Sequence, residues 1–224
     1  MKVIAFDLGG TLMQYMGMPL SWVDFYHKGF ENVIEKYQCN ISKESVEKSL
    51  QILKNFNPRI SYREMEYSPE YIFSKIFEHW NINTPIQECI ETFWNGLNLK
   101  AEIYPDTIDV LQTLKGKGYS IATLTDLPNG MPDELFKKDI NDLLNYIDYY
   151  VSSAVAGYRK PNYKGLKMIS DRFDIPLSQL IFVGDEEKDR QTALNAGCKF
   201  IRINHSKQSN NSINNLYELL DTLE

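Results

Sequence analysis

The chain has 224 residues, 43% of them apolar and 24% charged, an ordinary globular composition that excludes collagen-like, coiled-coil and disordered classes. Its length suffices for a full core, either as one larger domain or as a core carrying a smaller inserted one. A net charge of −6 with no basic cluster argues against a nucleic-acid partner held by phosphate neutralisation, and leaves room for a small, metal-bridged anionic substrate.

In chain order, residues 2–6 form a short, almost wholly apolar run closed by Asp7 and Gly9-Gly10. This reads as a buried parallel strand ending in a turn, with Asp7 at its carboxyl end. The following segment, 14–98, has a different texture. Trp22, Phe25, Tyr26, Phe30, Val33, Ile34 and Tyr37 recur three and four apart, as on one face of a helix. Further helices are expected near 42–54, 69–79 and 85–95, with Ser68-Pro69 and Thr84-Pro85 each placing a capping residue before a first-turn proline. After about residue 100, helices near 106–115, 133–145, 162–173, 187–196 and 212–223 alternate with strands at 119–124, 148–152, 180–183 and 199–203. Such alternation implies an α/β fold with a parallel sheet covered on both faces. The polar stretch Ser206–Asn211 reads as a surface loop.

A sheet of this kind places its site outside the carboxyl ends of its strands, which directs attention to residues 7, 125, 153–160 and 184–189. Asp7 either caps its turn or offers a carboxylate where small residues let a phosphoryl group approach. Thr125 either ends its strand or presents a hydroxyl to a phosphoryl oxygen. Lys160, in Gly157-Tyr158-Arg159-Lys160-Pro161, is held beside a proline that fixes the backbone, and a rigid ammonium suits charge neutralisation between carboxylates and phosphate. Asp185 and Asp189 lie four apart on an emerging helix. They either compensate the helix dipole or form a hard-oxygen site for Mg2+.

Taken together and in this order, these elements resemble the haloacid dehalogenase (HAD) superfamily. Phe6-Asp7-Leu8-Gly9-Gly10-Thr11-Leu12 looks like its first motif, Leu124-Thr125-Asp126 its second, Lys160 before Pro161 its third, and Gly184-Asp185 through Asp189 its fourth. The resemblance covers residues 1–13 and about 99–205. It implies a Rossmann-like three-layer core over 1–13 and 99–224, with an inserted all-helical cap domain over 14–98 that covers the site and selects substrates.

The resemblance further implies a phosphatase-type hydrolase of small phosphorylated metabolites, in which Asp7 becomes an aspartyl-phosphate that water hydrolyses. Mg2+ would be held by Asp7, the Gly9 carbonyl and Asp185, with Asp189 acting through water, while Thr125 and Lys160 hold phosphoryl oxygens. Gly10, Thr11 and Asp126 beside these positions, and Arg59 and Arg63 from the cap, are expected to contact the substrate. The plainer reading of Arg59 and Arg63 is solvated cap surface.

Family phosphatases carry a second Asp two residues after the nucleophile to protonate the leaving alcohol. Here that residue is Gly9. Three readings follow. The substrate has an acidic leaving group, or takes its proton elsewhere, with Tyr15, Glu186 and cap groups as candidates. The chemistry is of the phosphonatase or dehalogenase type. Or the chain is a weak or inactive binder of a phosphorylated ligand or protein partner.

A receiver domain is disfavoured by the long helical insertion after the first strand, and no P-loop sequence occurs. His27, His79 and His205 are scattered and read as structural, and Trp22, Trp80 and Trp94 as cap core. Cys39, Cys89 and Cys198 lack metal-ligand spacing and read as reduced buried thiols of a cytoplasmic protein. The run Val3–Phe6 is too short for a secretory signal, and no stretch approaches the roughly 20 apolar residues of a membrane span.

Overall fold

The computed structural model describes residues 2–19, 21–80, 82–205 and 212–223. Strand β1 (Lys2–Phe6) is central because both of its faces are apolar. It pairs in parallel with β4 (Tyr119–Thr125) and β6 (Leu180–Gly184), and β5 (Tyr149–Ser152) and β7 (Lys199–Arg202) extend the sheet to the order β5-β4-β1-β6-β7.

Alternate residues of these strands enter opposite layers. Val3, Ala5, Ala122, Leu124 and Phe182 pack with Leu166 and Ile169 of α9 (Lys164–Arg172) and Ala193 of α10 (Glu187–Ala196). Ile4, Phe6, Ile121 and Val183 join Val110, Leu111 and Leu114 of α5 (Thr107–Gly116) and Leu219 of α11 (Tyr217–Thr222). The period of two in the strands thus produces a three-layer α/β arrangement of the Rossmann type.

Between β1 and β4 the chain makes a two-stranded antiparallel ribbon, β2 (Met13–Tyr15) with β3 (Ala101–Ile103), and the helical segment leaves and returns through it. Its helices are α1 (Tyr26–Tyr37), α2 (Lys43–Phe56), α3 (Pro69–Phe77) and α4 (Ile86–Gly96). Helix α1 packs on α4 and α2 on α3. The apolar cluster continues from the sheet face into these helices through Phe30, Phe73, Ile76 and Phe93.

Several local expectations change. Ser68 caps α3 by accepting from the Tyr71 N–H at 3.1 Å, but α4 begins after Pro85, which takes the capping position expected of Thr84. The helix expected at 133–145 is two, α6 (Asp133–Asp139) and α7 (Asn141–Leu144), broken at Ile140. A one-turn helix, α8 (Ser153–Ala156), follows β5 directly. The final helix is shorter than expected, and the Ser206–Asn211 stretch lies outside the described residues. Of the three thiols only Cys89 is buried; Cys39 and Cys198 are half-buried.

Candidate active site

The first turn is tied down by its own backbone. Leu8 accepts from the N–H groups of Thr11, Leu12 and Met13 at 3.1, 2.8 and 3.0 Å, Gly10 donates to Met13 at 2.8 Å, and none of these bonds uses the Gly9 carbonyl. Asp7, its N–H bonded to Val183 at 2.8 Å, is thereby delivered to the sheet edge with its side chain buried.

Three other strand ends converge on it. Lys160, 4% exposed, places its ammonium 2.8 Å from Asp7 Oδ1 and 2.5 Å from Asp189 Oδ1. The ligand oxygens of Asp7, Asp185 and Asp189 lie within 4.8 Å of one another. Asp189 also accepts from the Glu186 N–H at 2.9 Å through Oδ2, closing the first turn of α10. Both Asp189 oxygens are therefore committed, and among the three carboxylates Asp7 and Asp185 hold the oxygens turned to the cavity.

Buried like charges raise the cost of ionisation. Burial first, then Asp189 and Asp185, pushes Asp7 up to about 7 against the pull of Lys160. Burial, Asp189 and Glu186 push Asp185 up to about 6. Burial opposes the charge on Lys160, yet Asp189, Asp7 and Asp126 hold its ammonium above its ordinary range. Asp126 runs the other way: despite burial, Lys188, Arg159 and Lys160 hold it well below the usual carboxylate range. Its Oδ1 accepts from the Lys160 N–H at 3.0 Å and its Oδ2 lies 3.3 Å from Lys188 Nζ. Asp126 thus braces the backbone that carries Lys160.

Asp7, Gly9, Gly10, Thr125, Asp126, Lys160, Asp185, Arg59 and Arg63 all line one cavity of about 580 Å³. Thr11 lies off its wall: fully buried, it donates its hydroxyl to Asp185 Oδ1 at 3.2 Å and so orients that carboxylate. Arg59 pairs with Glu186 at 2.6 Å across the mouth. Arg63 is mostly consumed by structure, donating to the Phe56 and Met65 carbonyls, to Glu66 at 3.0 Å and to Asn129 at 3.2 Å. Arg63 is therefore not solvated surface, while Arg59 is exposed and paired.

Sequence reasoning missed several lining or supporting groups. Glu66 pairs with Arg159 and accepts from Ser153 at 2.5 Å, while Arg159 also donates to the Leu127 carbonyl at 2.7 Å. Alongside, Glu66 N–H bonds Gly157 at 3.1 Å and Arg159 N–H bonds Glu64 at 2.6 Å, so the helical segment is stitched to the loop before Lys160. The only sequence signal for Arg159 and Lys188 was adjacency to Lys160 and Asp189. Trp80 and Trp94 are core, but Trp22 lines the cavity with Tyr15 and Phe136. Tyr15 donates its hydroxyl to Asp139 at 2.6 Å, and burial with that bond raises its pKa. Glu186 is held by Arg59 and by Lys188 at 3.7 Å. Neither proton-donor candidate has a free proton aimed at Asp7. His205 stacks on Tyr104 at 3.7 Å and bonds the Thr11 carbonyl at 3.0 Å, a structural placement. No described helix is long and apolar enough to cross a membrane.

Along most of its length the chain is similar to known proteins. Phosphoglycolate phosphatase from Aliivibrio fischeri is 24% identical over 197 residues, 88% of this chain and 81% of that protein. Phosphoglycolate phosphatase from Haemophilus influenzae is 26% identical over 220 residues, 93% and 88%. The crystal structure of a HAD phosphatase from Thermococcus onnurineus superposes with a TM-score of 0.63 at 22% identity, covering 100% of this chain and 98% of that one. The profile of the haloacid dehalogenase-like hydrolases matches residues 4–203, and the chain belongs to that family of enzymes.

Proposed function

We propose that the chain hydrolyses small phosphate monoesters through an aspartyl-phosphate on Asp7. The observation that carries this reading is Lys160 Nζ, buried and bridging Asp7 at 2.8 Å and Asp189 at 2.5 Å beside Asp185. The relatives named phosphoglycolate phosphatases support a phosphomonoester substrate.

The donor set fits Mg2+. Two carboxylates with oxygens to spare, and a turn whose hydrogen bonds leave the Gly9 carbonyl unused, supply hard oxygens in the small number that ion takes from protein. Burial and the neighbouring carboxylates push Asp7 and Asp185 up, and a cation bound between them would oppose that shift. Bound there, the metal supplies charge neutralisation for nucleophile and phosphate.

The chain's own groups do the rest. Lys160 keeps the Asp7 carboxylate oriented toward phosphorus and offsets phosphoryl charge. Thr125, buried on the wall, offers a hydroxyl to a phosphoryl oxygen. Thr11 and Asp189 position Asp185 and Lys160. Residues 14–98 act as the cap: the Arg59–Glu186 pair and the Glu66–Arg159 contact close them over the cavity. Gly9 contributes no proton, and positioned acid–base catalysis typically accounts for about 10²–10⁴-fold.

A second reading has one specific observation in its favour, the missing carboxyl at Gly9: a slow or inactive protein that binds a phosphorylated ligand. A phosphometabolite panel with and without Mg2+ decides between them, with Asp7→Asn alongside. Metal-dependent phosphate release lost by more than about a thousandfold in the variant supports hydrolysis. Inertness toward every ester, with tight binding of one, supports the second.

A further inference from the structure

The cavity has two unlike walls. On one, Tyr15, Trp22, Phe136 and Met18 face the same space as Asp7, and Tyr15 and Trp22 meet edge to face at 5.1 Å. On the other, every cation among the described lining residues already has a carboxylate partner. Arg59 has Glu186, Lys188 has Asp126 and Glu186, Arg63 and Arg159 share Glu66, and Lys160 has Asp7 and Asp189. A second anionic group on the substrate would have to compete with these carboxylates for their cations. An aromatic ring would not, and it would gain contact with a wall that is apolar and aromatic.

The chemistry at Gly9 points the same way. An alkoxide must be protonated as it leaves, and the residue in position to do so has no side chain. Tyr15 and Glu186 are occupied, Tyr15 with Asp139 at 2.6 Å and Glu186 with Arg59 at 2.6 Å. A phenolate leaves without a proton.

Building on the phosphatase reading, we infer that the wall formed by Tyr15, Trp22, Phe136 and Met18 is the leaving-group subsite and that it takes an aryl ring, making aryl phosphates the substrate class. Asp7 forms a bond to phosphorus as the phosphorus–oxygen bond to the ring breaks, and the phenolate departs with the electron pair. Water then attacks phosphorus, the bond to Asp7 breaks and regenerates its carboxylate, and the proton the water loses is taken up by the phenolate in solution.

The test uses the whole chain with Mg2+ and two non-hydrolysable probes, phenylphosphonate and methylphosphonate, measured by calorimetry. Phenylphosphonate should bind on the order of tenfold more tightly. Trp22→Leu, which keeps the position apolar, should shrink that margin severalfold and leave methylphosphonate affinity unchanged. Equal affinity for the two probes, or a Trp22→Leu effect identical on both, overturns the subsite. Rates supply the second arm: kcat/KM, which reports formation of the aspartyl-phosphate, should be higher for phenyl phosphate than for benzyl phosphate, which has the ring without the acidic leaving group, by roughly 10² or more. Equal kcat/KM for the two esters overturns the aryl-ester class. A chain that hydrolyses neither ester yet prefers phenylphosphonate retains the aryl subsite and loses the phosphatase reading, so the two failures are distinct.

Discussion

Gly10 lies directly against Asp185: a Cβ on Gly10 would sit 2.4 Å from Asp185 Oδ2, whereas a Cβ on Gly9, one residue earlier, meets nothing within 4 Å. Gly10 also has φ +81°, where a side chain is strained. The two glycines thus have different physical reasons to be there. Gly10 is required by the close approach of the carboxylate and its positive φ, while at Gly9 a side chain has open space.

Gly9→Asp should therefore fold normally and raise turnover of alkyl phosphates by at least about tenfold relative to aryl phosphates, toward the range positioned acids supply. Gly10→Ala should displace Asp185, cost about 1 kcal/mol or more from the backbone alone and abolish metal-dependent turnover. Steady-state kinetics on ethyl and phenyl phosphate with thermal melts of both variants check this. An equal gain on both esters for Gly9→Asp would contradict the missing-acid account.

Lys160→Met should leave Asp7 and Asp189 buried with no cation between them. Removing one partner of a buried ion pair costs about 3–5 kcal/mol, and Mg2+ should restore part of it through Asp7 and Asp185. Urea denaturation at pH 7 with and without Mg2+ measures both. A loss below about 1 kcal/mol would mean the bridge is not electrostatically important.

Asp7 and Asp185 make the metal-free protein pH-sensitive. Their folded values, about 7 and about 6, lie above the ordinary 3.8. Between 3.8 and 7 the folded state holds more protons than the unfolded one, so the contribution of these groups to stability falls as pH rises through that window. Mg2+ needs both carboxylates ionised, so its affinity should rise from pH 5 to pH 8 and the Tm difference between Mg2+ and EDTA should widen in the same direction. A Tm difference independent of pH would count against the shared site.

Glu66→Ala should leave Arg159 buried without its carboxylate and Ser153 without its acceptor. The expected loss is about 3–5 kcal/mol. Because 64–66 and 157–159 are also joined through the backbone, residues 57–67 should become open to protease and to hydrogen exchange before the rest of the chain. Limited proteolysis of wild type and variant reads this directly.

Much of the fold and part of the site could be read without coordinates, because the signals are local. The apolar run before Asp7 and the strand–helix alternation after residue 100 reflect the periods of two and 3.6 that backbone geometry imposes. The same is true of the four-residue spacing of Asp185 and Asp189. Tertiary structure alone decided the rest. The ribbon of β2 and β3 pairs residues such as Gln14 and Glu102 through strands too short to carry a period, and Trp22 proved to be a wall of the cavity. Thr11 turned toward Asp185 rather than the cavity, and Glu66 found Arg159 93 positions away. Such contacts depend on where loops close and which faces meet. Those are properties of the whole packed chain, and no short window of sequence encodes them.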